Sequence, residues 1–431
     1  MSKCFRIFLS KFSNLQFVVF FTNFSILWAT EATTDATTGS SWPMLFHDLN
    51  HTSSTYSISG PNASTAHVLF SIEMSASYTP CSCFSVPGVV ISSTNSIIVA
   101  SGCDNTIRSY TFNGFFEWSY NTQNNVCYTP GIDEEDNNSI VFITGFDTII
   151  KISSTGTLIW ITSLNSSYSI ASSPMFYKSI IFIGNFALHS KTGEILWNAH
   201  VPFNPDSTSL ISTVAISSIS SYASNGTVFM AISGNAGGIY AINVTSGQVL
   251  WSALTSQYVL LSSPLLTNVG ILILGMSSSD KKYGTIVGLS LLDPGHPVVW
   301  LVYSDSGLVA TPSISSTSSS IVSVGSLNGT LFTINPLLGT LQWTRSEGGA
   351  ITASVCSDVN NIVYILTANG VLLARNGTNG NLIWNVSYTF PKDYTIITSS
   401  PAINARGDIL FTVLETRRNG KTSHTLYSIG N

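Results

Sequence analysis

Seven tryptophans recur at nearly the same place in a repeated pattern, and no other feature constrains the fold of this chain as strongly. Six of them close a Gly-x-x-x-Trp segment, such as Gly156–Trp160, and the seventh closes the slightly longer Gly295–Trp300. A period of about 40 to 50 residues is the length of one four-stranded propeller blade. The sequence therefore predicts a propeller whose tryptophans dock each blade on its neighbour. The seven, spaced 37 to 54 residues apart, are Trp118, Trp160, Trp197, Trp251, Trp300, Trp343 and Trp384.

Each repeat divides into four short apolar segments that are separated by turn residues. Apolar runs such as residues 141–144 and 238–242 are followed by turns with Gly or Asn, and glycine supplies the positive φ of tight hairpins. A Thr/Ser-Gly turn then leads to the segment that carries the tryptophan. We predict four strands in each blade, from A (innermost) to D (outermost). A Ser/Thr-Pro pair precedes strand A at Thr129-Pro130, Ser173-Pro174, Ser263-Pro264, Thr311-Pro312 and Ser400-Pro401.

The two ends of the chain supply an eighth blade. After Trp384 the chain has two more apolar strands, at residues 407–412 and 424–429, and no further strand D. Residues 67–72 form an apolar strand that belongs to none of the seven repeats. Pairing this strand with the C-terminal strands closes the ring and removes free sheet edges. The predicted fold is an all-β, eight-bladed β-propeller of four-stranded antiparallel blades, the last closed by an N-terminal strand.

The first 30 residues differ from the rest of the chain. Lys3, Arg6 and Lys11 precede an apolar stretch at residues 17–28, and small residues follow it. This order of charged, apolar and small residues is typical of a secretory signal peptide. We expect a signal peptide at residues 1–30, a Ser/Thr-rich linker at 31–41 and a single propeller domain at 42–431. An uncleaved anchor at residues 1–30, which would make the propeller a luminal sensor domain, is the alternative.

The bulk composition is apolar, with 44% hydrophobic residues, 9% charged residues and a mean hydropathy of +0.32. Beyond residue 30, however, no apolar run approaches the roughly 18 residues of a membrane-spanning helix. Loss of the three cationic residues of the signal peptide moves the formal net charge from −5 to −8. We therefore expect a secreted or luminal monomer, with no transmembrane segment in the mature chain and no affinity for nucleic acid.

Four cysteines are predicted to meet on one face of the ring. With strands in the order A to D, the D–A and B–C loops share one face and the A–B and C–D loops share the other. Cys81 and Cys83 precede blade 1, Cys103 lies in its B–C loop, and Cys127 precedes blade 2. In an oxidising compartment we expect two disulfides, in which Cys81 and Cys83 each pair with Cys103 or Cys127. A metal site is the alternative.

The same D–A/B–C face carries the longest insertions, at residues 202–209 and 277–284, and the tip at 417–421. On scaffold folds, ligand contacts concentrate on such elaborated loops. Asp and Asn also recur in the B–C turns, where these residue types commonly support turn geometry. These turn residues are Asp104, Asp147, Asn235, Asn328 and Asn369.

Three further polar or reactive groups are given structural interpretations. Residues 134–136, Glu-Glu-Asp, are expected to form a solvated A–B turn on the opposite face. His47 and His51 have a spacing that suits a metal, but we expect them to tie the N-terminal segment to the ring. Cys356 is expected to be a buried free thiol. Nine Asn-X-Ser/Thr sequons follow residue 30, about the number that composition alone produces, so they are weak evidence for a glycoprotein.

The repeat resembles that of the pyrroloquinoline-quinone-type propellers. Residues 238–251, GIYAINVTSGQVLW, are similar to the family pattern G-x-L-Y-A-L-D-x-x-T-G-x-x-x-W. Residues 42–52, WPMLFHDLNHT, resemble the lead-in of the same superfamily, which includes bacterial outer-membrane assembly propellers. The resemblance implies the fold, whereas propellers of this type include both enzymes and scaffolds.

Enzymes of the family hold a quinone and calcium at the centre, beside a disulfide of adjacent cysteines. No Cys-Cys pair occurs in this sequence, and no catalytic arrangement of residues exceeds background. We therefore expect no cofactor and a non-catalytic propeller that binds a protein or carbohydrate partner through its D–A/B–C face. A quinone- and calcium-dependent dehydrogenase is the alternative.

Overall fold

Eight antiparallel sheets, each one blade of a propeller, make up the molecule. The eight-bladed fold predicted from the sequence is confirmed, including closure of the last blade by an N-terminal strand. No helix in the described part of the chain is long and apolar enough to cross a bilayer. The computed structural model describes residues 41–62, 64–77, 83, 85–145, 147–164, 170, 172–201, 211–217, 226–234, 237–254, 260–291, 298–315, 321–388 and 394–431.

The first four blades follow the chain in the order A to D. Blade 1 contains β2 (Val89–Ile91), β3 (Ser96–Ser101), β4 (Thr106–Thr111) and β5 (Phe116–Asn121). Blade 2 contains β6 (Gly131–Asp133), β7 (Ser139–Thr144), β8 (Thr148–Ile152) and β9 (Leu158–Ser163), with a 3₁₀ turn at Glu134–Asp136. Blade 3 contains β10 (Met175–Tyr177), β11 (Ile180–Ile183), β12 (Phe186–His189) and β13 (Ile195–Asn198). Blade 4 contains β14 (Ala215–Ser217), β15 (Thr227–Ile232), β16 (Gly238–Asn243) and β17 (Val249–Leu254).

The other four blades include two with a divided inner strand. Blade 5 contains β18 (Leu260–Leu261), β19 (Leu265–Leu266), β20 (Ile271–Ser277), β21 (Gly284–Ser290) and β22 (Val298–Ser304). Blade 6 contains β23 (Ser313–Ile314), β24 (Val322–Gly325), β25 (Thr330–Ile334) and β26 (Leu341–Ser346). Blade 7 contains β27 (Cys356–Ser357), β28 (Ile362–Thr367), β29 (Val371–Asn376) and β30 (Leu382–Ser387). Blade 8 contains β31 (Tyr394–Thr398), β32 (Ala402–Ile403), β33 (Ile409–Arg417), β34 (Thr422–Gly430) and, outermost, β1 (His67–Ser77).

The tryptophans of the outer strands join neighbouring blades by a repeated hydrogen bond. Each indole N–H for which a partner is described donates to a backbone carbonyl of the next blade, in or beside its C–D turn or, for Trp384, in the segment that precedes β1. Trp251 occupies the equivalent position of blade 4, and part of the C–D turn of blade 5, residues 292–297, lies outside the described residues. The six bonds are Trp118 to Ser154 (2.9 Å), Trp160 to Ser190 (2.9 Å), Trp197 to Val244 (2.9 Å), Trp300 to Pro336 (2.9 Å), Trp343 to Gly377 (2.8 Å) and Trp384 to Pro61 (3.0 Å).

The turn glycine of the next blade makes this close approach possible. Gly247 has a φ of +69°, and a Cβ at this position would lie 2.7 Å from the ring of Trp197. The sequence pairs the glycine with the tryptophan because the glycine both turns the chain and leaves room for the indole of the preceding blade. The turn glycine of one repeat therefore leaves space for the tryptophan of the preceding repeat.

Blade 8 closes the ring with residues from both ends of the chain. Strand β1 pairs with β34 from His67 opposite Gly430 to Ser77 opposite Thr422. Phe70 of β1 takes the place of a tryptophan, since its ring would lie 3.2 Å from a Cβ on Gly114 of blade 1. Arg406 of blade 8 adds hydrogen bonds to Asn113 (2.7 Å) and to the carbonyl oxygen of Phe112. The final contact thus reproduces the other docking contacts with an aromatic ring of another type.

Residues 42–58, which we call the crossing segment, run across the inner strands on the A–B/C–D face. Carbonyl oxygens of this segment accept backbone hydrogen bonds from one equivalent residue in each of six blades. In the described part of the chain, no such bond joins it to β10 of blade 3. The six donors are Ile91, Ile132, Ile216, Leu266, Ile314 and Ser357, at 2.7 to 3.0 Å.

The two histidines of the crossing segment are buried in it. His51 is 0% exposed, and its Nδ1 lies 2.7 Å from the carbonyl oxygen of Pro264 in blade 5. Asp48 accepts hydrogen bonds from the backbone N–H of Asn50 and Thr52 and from the hydroxyl of Thr52. Phe46, His47, His51 and Ser53 all have positive φ, which is unfavourable for residues with a Cβ and requires support from surrounding contacts. These contacts attach the segment to the ring.

Replacing Gly247 with alanine should destabilise the ring through the Trp197 contact. We expect a loss of about 3 kcal/mol or more, because the added methyl group overlaps the indole and the backbone is left-handed. The matched control is Gly420→Ala, which has a φ of +80° and nothing within 4 Å of the added Cβ, and which should cost only about 1 kcal/mol. Urea unfolding followed by tryptophan fluorescence measures both. Equal losses would contradict the docking interpretation.

Acid should destabilise the seam between blades 8 and 1 through His424. This side chain is 1% exposed, neither ring nitrogen has a partner among the described residues, and burial lowers its pKa to about 4. The unfolded chain binds the proton near pH 6.5, so stability falls as the pH drops from 6.5 towards 4. The expected contribution is about 2 kcal/mol between pH 6.5 and 4.5.

His424→Met should remove that part of the pH dependence and leave the stability at pH 7 similar or higher, because the unpartnered ring nitrogens are gone. His200→Gln, at an exposed histidine, is the control. Urea unfolding at the two pH values measures the difference. An unchanged pH dependence in His424→Met would show that another group is responsible.

Candidate functional site

Seven small hydroxyl side chains and one glycine lie at the start of the inner strands, at the centre of the ring. One equivalent residue in each blade lies just before strand A or its inner half, two positions before it in seven blades and one position before it in blade 1. Three neighbouring pairs share one hydrogen bond, in which the backbone N–H of one residue donates to the hydroxyl of the next: Gly88 to Thr129 at 2.7 Å, Ser173 to Thr213 at 3.1 Å and Ser354 to Ser400 at 3.1 Å. The Ser/Thr-Pro pairs at Thr129, Ser173 and Ser400 therefore take part in links between neighbouring blades. The eight residues are Gly88, Thr129, Ser173, Thr213, Ser263, Thr311, Ser354 and Ser400.

These central residues do not fit a quinone with calcium. Calcium in proteins takes six to eight oxygen ligands, with carboxylates prominent among them. Within the described inner strands of the eight blades, Asp133 of β6 is the single carboxylate, and it binds Lys151 at 2.9 Å. No group of three or more His, Cys, Asp or Glu residues in the described part of the chain is arranged to hold a metal ion. We therefore derive no chemistry through such a cofactor.

The D–A/B–C face is braced by disulfides over blades 1 and 2. Cys83 and Cys127 are bonded, which joins the segments leading into the two blades. Cys103, in the B–C loop of blade 1, is also disulfide-bonded. Cys81, the fourth cysteine predicted for this cluster, lies outside the described residues. Cys356 is a buried free thiol in β27, and burial raises its pKa well above the usual range, so it is poorly reactive.

Two blades project from the ring on this face. Strands β33 and β34 of blade 8 have nine residues each, and β20 and β21 of blade 5 have seven, whereas the other B–C hairpins have strands of four to six. The additional inner strands β31 and β18 extend the same two blades. The sequence predicted shorter strands at residues 407–412 and 424–429 and did not predict β31, because its apolar run follows residues 389–393 without a turn signal of the repeat.

The tips of the two projecting hairpins are cationic. Lys281 and Lys282 of blade 5 are exposed beside Tyr283, which is 66% exposed. Asp280 forms an exposed ion pair with Lys282 at 3.2 Å. At the tip of blade 8, Arg418 is exposed. The predicted insertion at 277–284 is thus a strand hairpin whose exposed turn spans residues 279–283, while that at 202–209 lies outside the described residues.

The Asp and Asn side chains of the B–C turns mostly bond within their own turns. Asp104 pairs with Arg108 and accepts a hydrogen bond from Thr106, and Asn328 accepts one from Ser326 at 2.7 Å. The remaining members behave alike: Asp147 accepts hydrogen bonds from Thr148 and Ser163, Asn369 accepts one from Thr367, and Asn235 is outside the described residues. These side chains are engaged in the fold, in line with the structural interpretation.

The acidic turn at residues 134–136 agrees in part with the solvated tip expected from the sequence, since Glu134 and Glu135 are exposed whereas Asp136 is partly buried. Asp136 lies 2.7 Å from the ammonium group of Lys151, a side chain that is 0% exposed in the middle of β8. This buried ammonium group also contacts Asp133 of the same blade and Ser190 of blade 3. Sequence reasoning missed the cluster because Lys151 sits in an apolar strand and its partners come from other turns.

Comparisons with known proteins agree with this architecture. The model of a family described as outer membrane protein assembly factor BamB matches residues 74–271 and 292–422. No curated protein sequence matches the chain.

Solved structures of several propellers are similar in fold. BamB from Moraxella catarrhalis is 15% identical with a TM-score of 0.52, over 83% of this chain and 97% of that one. Quinohemoprotein alcohol dehydrogenase from Comamonas testosteroni is 12% identical with a TM-score of 0.66, over 91% and 81%. A europium-containing methanol dehydrogenase is 11% identical with a TM-score of 0.68, over 91% and 98%.

At 11% to 15% sequence identity, the structural similarity shows only that the fold is shared. The family match, by contrast, covers most of the chain and spans parts of all eight blades. Together with the tryptophan repeat and the ring closed by β1, it shows that this chain belongs to the pyrroloquinoline-quinone-like, BamB-type β-propeller family.

Proposed function

We propose that this chain is a non-catalytic binding propeller of the secretory pathway, which holds a protein partner on its D–A/B–C face. The observation that carries the proposal is the projection of blades 5 and 8 on that face, each ending in an exposed cationic tip. Exposed Tyr and Arg side chains are typical of protein interfaces. A rigid ring with elaborated loops on one face is how scaffold folds present binding residues.

The disulfide chemistry supports the proposed location. Cys83–Cys127 and the bonded Cys103 brace the same face, and disulfides persist mainly in secreted and luminal proteins. The description of the matching family as an assembly factor supports a protein partner, and a carbohydrate partner is the other outcome of the test.

A photo-crosslinking amino acid at Tyr283 should capture one discrete partner in the secreting cells. The matched control is the same amino acid at Leu338, which is 68% exposed in the C–D turn of blade 6 on the opposite face. Neutralising the tips with Lys281→Gln, Lys282→Gln and Arg418→Gln should reduce the yield about tenfold, because charge steers association. The yield of the discrete product is measured by blotting and mass spectrometry.

The result that contradicts the proposal is equal crosslinking from Tyr283 and Leu338, or a yield that the tip variant leaves unchanged. If glycosidases remove the crosslinked product and mass spectrometry finds no second protein in it, the partner is a carbohydrate and not a protein.

A quinone- and calcium-dependent dehydrogenase is the alternative function. We expect no change in the melting temperature of the purified chain when pyrroloquinoline quinone and calcium chloride are added. A specific ligand at 100 times its Kd would add about 2.7 kcal/mol to the free energy of unfolding. A saturable rise in melting temperature would therefore favour the alternative.

A further inference from the structure

The residue that directly follows each docking tryptophan projects outward from the ring. In blade 7 this residue is Asn385, which follows the buried Trp384 in the outer strand β30. Successive side chains of a strand point to opposite faces, so the side chain after a docked tryptophan faces away from the docking contact. All seven residues at this position are exposed, namely Ser119, Ile161, Asn198, Ser252, Leu301, Thr344 and Asn385.

Among these seven residues, only Asn385 begins an Asn-X-Ser/Thr sequon, which it forms with Val386 and Ser387. Ser387 is also exposed, and it lies two residues further along β30, on the same face of the strand. Both residues that define the sequon therefore stand on the open side of an outer strand. The number of sequons in the chain is no more than composition produces, so the position of this one carries the argument.

Three other sequon asparagines use their side chains to hold turns. Asn243 and Asn376 each accept two backbone hydrogen bonds in the C–D turns of blades 4 and 7. The amide nitrogen of Asn328, which is the atom to which a glycan attaches, donates to Asp305 at 3.1 Å. Asn385 lies in the middle of a strand and takes part in no such turn.

The outer edge of β30 has space for a bulky group. This strand pairs with β29 on one side, and no strand in the described part of the chain pairs with its other side. Its six residues include no charged side chain. A hydrophilic glycan at Asn385 is solvated there, and it prevents the addition of a further strand at this edge.

We propose that Asn385 carries an N-linked glycan. The donor is an oligosaccharide linked to a lipid diphosphate. The anomeric carbon of the sugar forms a bond to the amide nitrogen of Asn385, its bond to the diphosphate oxygen breaks, and the nitrogen loses one proton as the lipid diphosphate leaves. This inference rests on the secretory location proposed above, but it does not involve the partner or the cationic tips of blades 5 and 8.

Mass spectrometry of the full-length chain secreted from cultured mammalian cells tests the proposal. Peptide N-glycosidase F in ¹⁸O-water converts each glycan-bearing asparagine to ¹⁸O-labelled aspartate, which marks every occupied sequon. We expect the label at Asn385 in most molecules. Asn385→Gln and Ser387→Ala should each remove one glycan from the intact mass, whereas Ser387→Thr, which keeps the sequon, should retain it.

Blade 3 offers a matched control at the equivalent position. Asn198 directly follows Trp197 and is exposed, but it begins no sequon, because the second residue after it is His200. Asn198→Gln should therefore leave the glycan mass unchanged. His200→Thr places a sequon at Asn198, and we expect one additional glycan with unchanged secretion. An empty Asn198 in this variant would contradict the argument from position.

The failure of this proposal and the failure of the proposed location give different results. If Asn385 is unlabelled while other sequons are labelled, the proposal is overturned and the secretory location stands. If no sequon is labelled, both are overturned. A label at Asn385 together with the loss of one glycan in Ser387→Ala supports both.

Discussion

The stacking of an indole on the turn glycine of the next blade is the contact on which the rest of the molecule depends. No single blade can bury its outer tryptophan, because the ring lies against a neighbour and its N–H donates to the neighbour's carbonyl oxygen. The interaction is therefore one of nearest neighbours, as in other repeat proteins. A chain built in this way is stable only when the last blade also has a neighbour.

The N-terminal residues provide that closure in two ways. Strand β1 completes blade 8 and presents Phe70 to blade 1, while the crossing segment accepts a backbone hydrogen bond from six of the eight inner strands. The crossing segment makes these hydrogen bonds on the A–B/C–D face of the ring. Blades 5 and 8 project on one side of the ring, and a cavity of about 150 Å³ opens on the other.

Local patterns predicted the ring, since Gly-x-x-x-Trp and Ser/Thr-Pro mark contacts that recur in most of the blades. The orphan strand at residues 67–72 predicted how the ring closes, because a strand without a partner must pair somewhere. The sequence did not show Phe70 as the aromatic residue that docks blade 8, although Phe70 and Trp160 each directly follow a register shift in the outer strand.

Contacts that occur once could not be predicted in the same way. The ion cluster of Lys151, the length of the blade 8 hairpin and the cavity beside Tyr177 depend on residues far apart in the chain. No periodic pattern records such a contact. The cationic tips are an intermediate case, because the sequence placed them on the correct face but gave no measure of how far they project.

Amide hydrogen exchange at the inner strands tests the central claim most directly. If the crossing segment and β1 lock the ring, the amides of Ile91, Ile132, Ile216, Leu266, Ile314 and Ser357 are released only by global unfolding. We predict that these six amides exchange at one common slow rate that follows the global stability as urea is added. Exchange at six different rates, each insensitive to urea, would show that the blades open one by one and would contradict the account.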